Sequence, residues 1–295
     1  MAIWNCGNET MPDLDTEDNP KLAMSLSLPA KSWRTMSCSV KGARHEHNQS
    51  PCQDAALVQE FDDMVLLAVA DGHGDSKHSL SERGSQFAVE IACDIIRQAL
   101  LSIDEEKTSQ EVHNMLVTSI AGRIAWEWNI RCKKDALGSP ELQVDGEWSE
   151  ELVAYGSTLI AIGISKNWLI AYQLGDGDIL LLDRNKQPHF LFQEEEISGI
   201  FTHSLCQPNH LEKAQIHCQK HRNHISKILI CTDGIRDSLS GLRENLIQFA
   251  NWLEQKIRRE GWVETQEAMN DWLSELSLRG NGDDNSFALF WNEKD

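Results

Sequence analysis

Apolar residues in this chain fall into short runs broken by Gly, Asp and Asn, a pattern that predicts many buried strands with a few helices between them. Runs at 35–40, 55–58 and 64–70 read as strands. From 79 to 101 the apolar positions Phe87, Ile91, Ile95 and Leu100 recur at helical spacing, and a second helix is expected over 111–132. Residues 133–150 carry Gly138, Pro140 and Gly146 among charged residues and read as an exposed loop. Three runs at 159–164, 168–174 and 179–182, joined by turns at 165–167 and 175–177, read as an antiparallel meander. A strand at 226–232, helices at about 242–259 and 263–277, and a last strand at 286–291 complete the pattern. Strands in two groups with paired helices between them predict an α+β fold in which stacked sheets are covered by helices.

Two stretches lack sustained periodicity. Residues 1–30 are polar and acidic, with Pro12, Pro20 and Pro29, and predict a flexible N-terminal extension ahead of one domain over 31–295. Residues 184–224, rich in His and Gln, predict a flap or insertion near a site.

Where the apolar runs end, carboxylates collect. The run at 65–70 gives way to Asp71-Gly72, the run at 169–174 to Gly175-Asp176-Gly177, and the run at 228–232 to Asp233-Gly234; Asp283-Asp284-Asn285 precedes the final run and Gln53-Asp54 precedes the strand at Ala55. Each Asp-Gly is by itself a common turn. Asp176 and Asp178 are explained as well by a hairpin turn as by ligation. Repetition at strand exits, however, gathers charges that repel one another unless a cation lies between them, and hard divalent ions such as magnesium or manganese prefer oxygen ligands. The expectation is an all-oxygen metal site. His73, in Asp71-Gly72-His73-Gly74, is placed to supply a proton.

Composition narrows the partners. With 295 residues and 41% hydrophobic composition the chain can bury a sizeable core. A formal charge of -19 argues against nucleic acid or an anionic membrane as partner, although bound cations would reverse the sign locally enough to accept a phosphate. Cys6, Cys38, Cys52, Cys93, Cys132, Cys206, Cys218 and Cys231 include no C-x-x-C pair and suit reduced thiols. No stretch reaches the roughly 20 apolar residues that span a bilayer, and the N-terminus has no signal-peptide pattern. A soluble, cytoplasmic monomer is expected.

Taken in order, Gly42, Arg44-His45, Pro51-Cys52-Gln53-Asp54-Ala55, Val69-Ala70-Asp71-Gly72-His73-Gly74, Tyr155-Gly156-Ser157-Thr158-Leu159, Leu174-Gly175-Asp176-Gly177, Cys231-Thr232-Asp233-Gly234 and Gly282-Asp283-Asp284-Asn285-Ser286 resemble the metal-dependent protein phosphatases of the 2C type, in a bacterial branch of that family. The resemblance covers about 33–291. It implies a four-layer α-β-β-α sandwich, two mainly antiparallel sheets packed face to face and flanked by helices. It also implies two manganese or magnesium ions at one end of the sandwich, with room for a third. Asp71 would bridge both ions, the Gly72 carbonyl would bind one, Asp233 and Asp284 the other, Asp54 would act through bound water, and Asp176 would be accessory. Asp71 and His73 are then the catalytic residues, His73 as general acid, a step that suits a histidine titrating near neutrality. A water shared by the two ions would attack the phosphoryl group in line.

Two departures stand out. Many relatives carry Glu-Asp where this chain has Gln53-Asp54, which removes one water-mediated acidic contact. Relatives also place a phosphate-binding Arg shortly before that pair; here the stretch is longer, and Arg44 or His45 is the substitute. The implied activity is hydrolysis of phosphoserine and phosphothreonine in phosphoprotein substrates, including a partner Ser/Thr kinase. Against it stand a pseudophosphatase that binds phosphoproteins without turnover and a scaffold whose acidic turns only solubilise.

Overall fold

The structure, a computed structural model, describes residues 33–193, 202–220 and 225–292. The expected N-terminal extension lies outside the described residues, as does part of the expected flap. In chain order the elements are β1 (Trp33–Val40), α1 (Ala43–Asn48), β2 (Ala55–Glu60), β3 (Met64–Ala70), α2 (Ser81–Ser102), α3 (Ser109–Ala136), a 3-10 turn (Glu150–Tyr155), β4 (Leu159–Ser165), β5 (Trp168–Leu174), β6 (Asp178–Asp183), β7 (Pro188–Phe190), α4 (His210–Lys213), β8 (Gln215–Lys220), β9 (Ile225–Cys231), α5 (Asp233–Ser238), α6 (Arg243–Glu260), α7 (Trp262–Arg279) and β10 (Asn285–Asn292).

The strands form two antiparallel five-stranded sheets, ordered β2-β3-β4-β5-β8 and β1-β10-β9-β6-β7. Alternation along each strand decides the layers. On β3, Val65, Leu67 and Val69 join Ile160, Ile162, Ile179, Ile228, Ile230 and Phe290 in the core between the sheets. The intervening Leu66, Ala68 and Ala70 face outward against Val89, Ala92, Ile96 and Ile124 of α2 and α3. The other sheet is covered in the same way, with Leu229, Phe287 and Leu289 packed on Leu246, Phe249, Met269 and Leu273 of α6 and α7. Both strand faces are therefore apolar, which is why these runs read as continuous rather than alternating. The four-layer α-β-β-α sandwich implied by the resemblance is the observed fold.

Three expectations change. The helix expected to stop at 132 runs to Ala136, and the loop beyond it contains a 3-10 turn. The 184–224 segment is partly regular: β7 and β8 add an edge strand to each sheet. Most consequential, the runs at 159–164, 168–174 and 179–182 are not one meander. β4 pairs with β5, but β6 pairs with β9 and β7 in the opposite sheet, so residues 175–177 cross between sheets instead of closing a hairpin. Buried Gln173 holds this crossing, its side-chain amide donating to the carbonyls of Gly175 and Gly177 at 3.2 and 2.8 Å. Among the described residues no helix is long and apolar enough to cross a membrane.

Candidate active site

Strand register brings the acidic turns to one end of the sandwich. In one sheet Ala55 lies opposite Ala70, Val69 opposite Ile160, and Leu159 opposite Leu174. In the other, Val40 lies opposite Asn285, and Cys231 is flanked by Phe287 and Asp178. The short 175–177 crossing joins these two sets of strand ends. Asp54, Asp71, Asp176, Asp233 and the Asp283-Asp284 pair accordingly share that end.

Their charges act on one another. Asp54 is buried, its Oδ2 accepts a hydrogen bond from Thr232 Oγ1 at 2.8 Å, and burial followed by the charge of Asp284 pushes its carboxyl up to about 7. The Asp71 carboxyl is pushed well above the usual range by burial and then by Asp233, Asp54, Asp176 and Asp283. Burial and then Asp176, Asp237, Asp54 and Asp283 do the same to Asp233. Among the described residues no three His, Cys, Asp or Glu side chains close a metal shell by themselves. Carboxylate and carbonyl oxygens are the donors that hard divalent ions take, and an ion held here would need waters to complete its shell. Asp178, the other acid of the crossing, is committed elsewhere: it is buried and pairs with Arg236 at 3.0 Å and Arg243 at 2.7 Å.

The structure separates Asp284 from its neighbour. Asp284 is buried, with Oδ1 accepting from the Gly42 N–H at 2.6 Å and lying 2.9 Å from His45 Nδ1, while Oδ2 accepts from the Gln53 N–H at 2.7 Å. Burial alone would raise its pKa, but these contacts hold it below the ordinary value. Asp284 acts on Asp54, whereas Asp283, half-buried, is the one whose charge reaches both Asp71 and Asp233. Glycine permits this clamp: a Cβ on Gly42 would run into the Asp283 carbonyl carbon, and one on Gly234 into the Asp284 carbonyl oxygen.

The loop after β3 is tied from several sides. The Asp71 N–H donates to Thr158 Oγ1 at 2.9 Å, the Thr158 N–H returns to the Asp71 carbonyl at 2.8 Å, and the His73 N–H donates to the Gly156 carbonyl at 3.0 Å. These bonds give the Gly156-Ser157-Thr158 string its part in the site. Gly72 has no room for a side chain, since a Cβ would lie 2.5 Å from the Gln53 carbonyl oxygen that its N–H bonds at 3.1 Å.

His73 departs from its expected titration. Its ring packs on His78 with centroids 4.8 Å apart, and burial, then His78 and Lys77, push its pKa down to about 4. Asp75 is the carboxylate acting on it, not the cluster. At that value the ring is neutral at pH 7. The two candidates for phosphate binding also separate. Arg44 is exposed, donating to the Asn281 carbonyl at 2.7 Å and lying 3.9 Å from Asp283. His45 is buried on Asp284, and that hydrogen bond raises its pKa although burial opposes the rise.

Asp283, Thr158 and Thr232 stand in strings already singled out but carry parts in the site that were not expected of them. The doubled Asp283-Asp284 was the visible signal for the first; the threonines follow Ser157 and precede Asp233, and their hydroxyls serve the aspartates.

Comparison with known proteins identifies the family and the fold. Residues 41–274 match the family model described as Protein phosphatase 2C. No curated protein sequence matches the chain. Among solved structures, a bacterial serine phosphatase aligns with a TM-score of 0.56 at 15% identity, covering 89% of this chain and 98% of that one. The serine/threonine phosphatase PstP/Ppp of Mycobacterium tuberculosis aligns with a TM-score of 0.53 at 17% identity over 88% of this chain and 99% of that one. The serine/threonine phosphatase Stp1 of Staphylococcus aureus gives 0.52 at 15% identity, with 88% and 94% covered. At these identities the structural likeness speaks for the fold.

Proposed function

We propose that this chain, which belongs to the protein phosphatase 2C family, is a metal-dependent protein serine/threonine phosphatase whose catalytic unit spans 31–295. The observation that carries the reading is the gathering of Asp54, Asp71 and Asp233 at one end of the sandwich, each carboxyl raised first by burial and then by the charge of neighbouring carboxylates. A native state that keeps such a cluster loses stability unless cations neutralise it. Asp71, Asp233 and the Gly72 carbonyl are assigned to two magnesium or manganese ions, with Asp54 acting through water and Asp176 available to a third. Asp284 belongs to the same ligand set by resemblance, while its hydrogen bonds to Gly42, His45 and Gln53 support a part as anchor, with Asp283 the neighbouring carboxylate that faces the cluster.

Bound divalent ions supply charge neutralisation for the phosphoryl group and activate the attacking water. The protein's own residues orient the rest. His45, held by Asp284, is the buried imidazole available to a phosphoryl oxygen, and Arg44 faces the outer rim. His73 is assigned the proton that the leaving serine or threonine alkoxide takes. At a pKa of about 4 only about one ring in a thousand is protonated at pH 7, so the assignment requires the bound phosphate dianion to raise it. Substrates are phosphoproteins, a partner kinase among them, met by a monomer in the cytoplasm.

The neutral His73 and the replacement Gln53 favour one competing reading, a pseudophosphatase that binds phosphoproteins without turning them over. Turnover of p-nitrophenyl phosphate and a phosphothreonine peptide, with manganese titrated against chelator, separates the two. Manganese-dependent hydrolysis lost in Asp233→Ala supports the phosphatase; metal binding by calorimetry with no hydrolysis in either protein refutes it.

A further inference from the structure

Gln53 occupies a position where the resemblance expects an acid, and its contacts give the amide a use that a carboxylate lacks. Its side-chain Nε2 donates to the His73 carbonyl at 3.2 Å and to Ser81 Oγ at 2.7 Å. Its backbone carbonyl accepts from the Gly72 N–H at 3.1 Å and from Ser85 Oγ at 2.6 Å, and its N–H donates to Asp284 Oδ2 at 2.7 Å. One residue thus ties the start of β2, the Asp71–Gly74 loop, the first turn of α2 and the Asp284 anchor. A carbonyl oxygen has no proton to give, so the contact with His73 requires the nitrogen end of the amide there. The other end, Oε1, is buried and has no partner among the described residues. It lies beside Gly74, where an added Cβ would stand 3.4 Å from Oε1 and 3.7 Å from His45 Nε2.

We propose that Gln53 is a positioning residue that locks the His73-bearing loop onto α2, and that glutamate at this position would loosen the site rather than restore it. In Gln53→Glu the Ser81 contact survives with the hydroxyl as donor, but a carboxylate oxygen faces the His73 carbonyl, so an attraction becomes a repulsion. Gln53→Met keeps most of the bulk and removes both side-chain hydrogen bonds. This inference rests on the phosphatase reading for its kinetic arm and on structure alone for its second arm.

The test compares full-length wild type, Gln53→Glu and Gln53→Met. With manganese saturating, kcat on a phosphoserine peptide is expected to fall about 10- to 100-fold in both variants, the scale on which catalytic groups misplaced by about 1 Å lose rate. Manganese affinity by calorimetry is expected to hold within about threefold in both. The loss should be smaller on p-nitrophenyl phosphate, whose phenolate leaves without a proton, because the loop carries the proposed proton donor. Hydrogen exchange followed by mass spectrometry should show faster exchange over 71–81 in both variants, with β9 and α7 unchanged. Turnover by Gln53→Glu equal to or above wild type, or exchange over 71–81 equal to wild type, overturns the proposal. If wild type turns over neither substrate, the phosphatase reading fails, and the exchange arm still decides whether Gln53 locks the loop.

Discussion

Replacing Asp54 by Asn should make the metal-free protein more stable and the metal-loaded protein less active. Asp54 sits on the strand-start side of the cluster, buried, with its carboxyl at about 7 against an ordinary 3.8. Keeping that group ionised at pH 7 costs the native state up to about 4 kcal/mol relative to the unfolded chain. Neighbouring carboxyls share protons and water reaches half-buried Asp71 and Asp233, so ~2 kcal/mol is the working figure, equal to a rise in Tm of about 4–8 °C. Asn keeps an oxygen to accept from Thr232 Oγ1, so little is lost in exchange. The pH dependence has a definite sign. A carboxyl raised in the native state binds its proton there at pH values where the unfolded chain has released it. Wild-type stability in chelator should therefore fall as pH rises from about 4 through 7, and the variant should fall less steeply. Manganese at about 100 times its Kd should add about 2.7 kcal/mol to wild type and less to the variant. Urea unfolding read by tryptophan fluorescence between pH 5 and 8, with chelator or manganese, measures all of this. A variant less stable than wild type in chelator at pH 7, or parallel pH slopes, would refute the reasoning that burial and the charge of Asp284 make an ionised Asp54 costly.

Other consequences are simpler to state. Arg44→Ala should change kcat/KM for a phosphopeptide by less than about fivefold, since an exposed charge contributes little, whereas His45→Ala should cost about tenfold or more by releasing Asp284; equal effects in steady-state kinetics would contradict the separation of the two side chains. Gly84→Ala should destabilise by about 3 kcal/mol in urea titrations, because its Cβ would enter the Tyr155 carbonyl oxygen at the contact between α2 and the 3-10 turn. Burial would raise the Glu254 carboxyl, yet Lys227, Lys186 and Arg258 hold it at about 2. Glu254→Gln should therefore cost about 2–3 kcal/mol at pH 7 and leave Lys227 buried without its partner. The depressed pKa places that stability above about 4.5, fading as pH falls toward 2, so the gap between Glu254→Gln and wild type should narrow in acid.

How much of this was legible in the sequence depended on whether the deciding contact was local. Strand β3 was readable because a run apolar at every position between Met64 and Ala70 has one explanation, burial on both faces. The carboxylates were readable as a set because each stands at the exit of such a run. Gly175-Asp176-Gly177 was not readable as a crossing: a Gly-Asp-Gly turn between two apolar runs has the local chemistry of a hairpin, and what excludes the hairpin is the pairing of β6 with β9, a strand nearly fifty residues onward. The short helices α1 and α5 carry too few residues to show a period.

The same logic explains why Asp283 and Asp284 could not be told apart. Adjacent residues entering a strand point in opposite directions, so the two carboxylates of the pair meet different partners, but the sequence of the loop is symmetric in carboxylates. Direction is set by donors from the other end of the chain: Gly42, His45 and Gln53 offer a convergent set of N–H groups that one carboxylate fills. A cage of that kind can be filled only where the backbones touch, and Gly42 and Gly234 are the residues that let them. The glycines were visible in the sequence as turn formers; their function is to bring the Asp283–Asp284 backbone close enough for one acid to be fixed and its neighbour left facing the charge cluster.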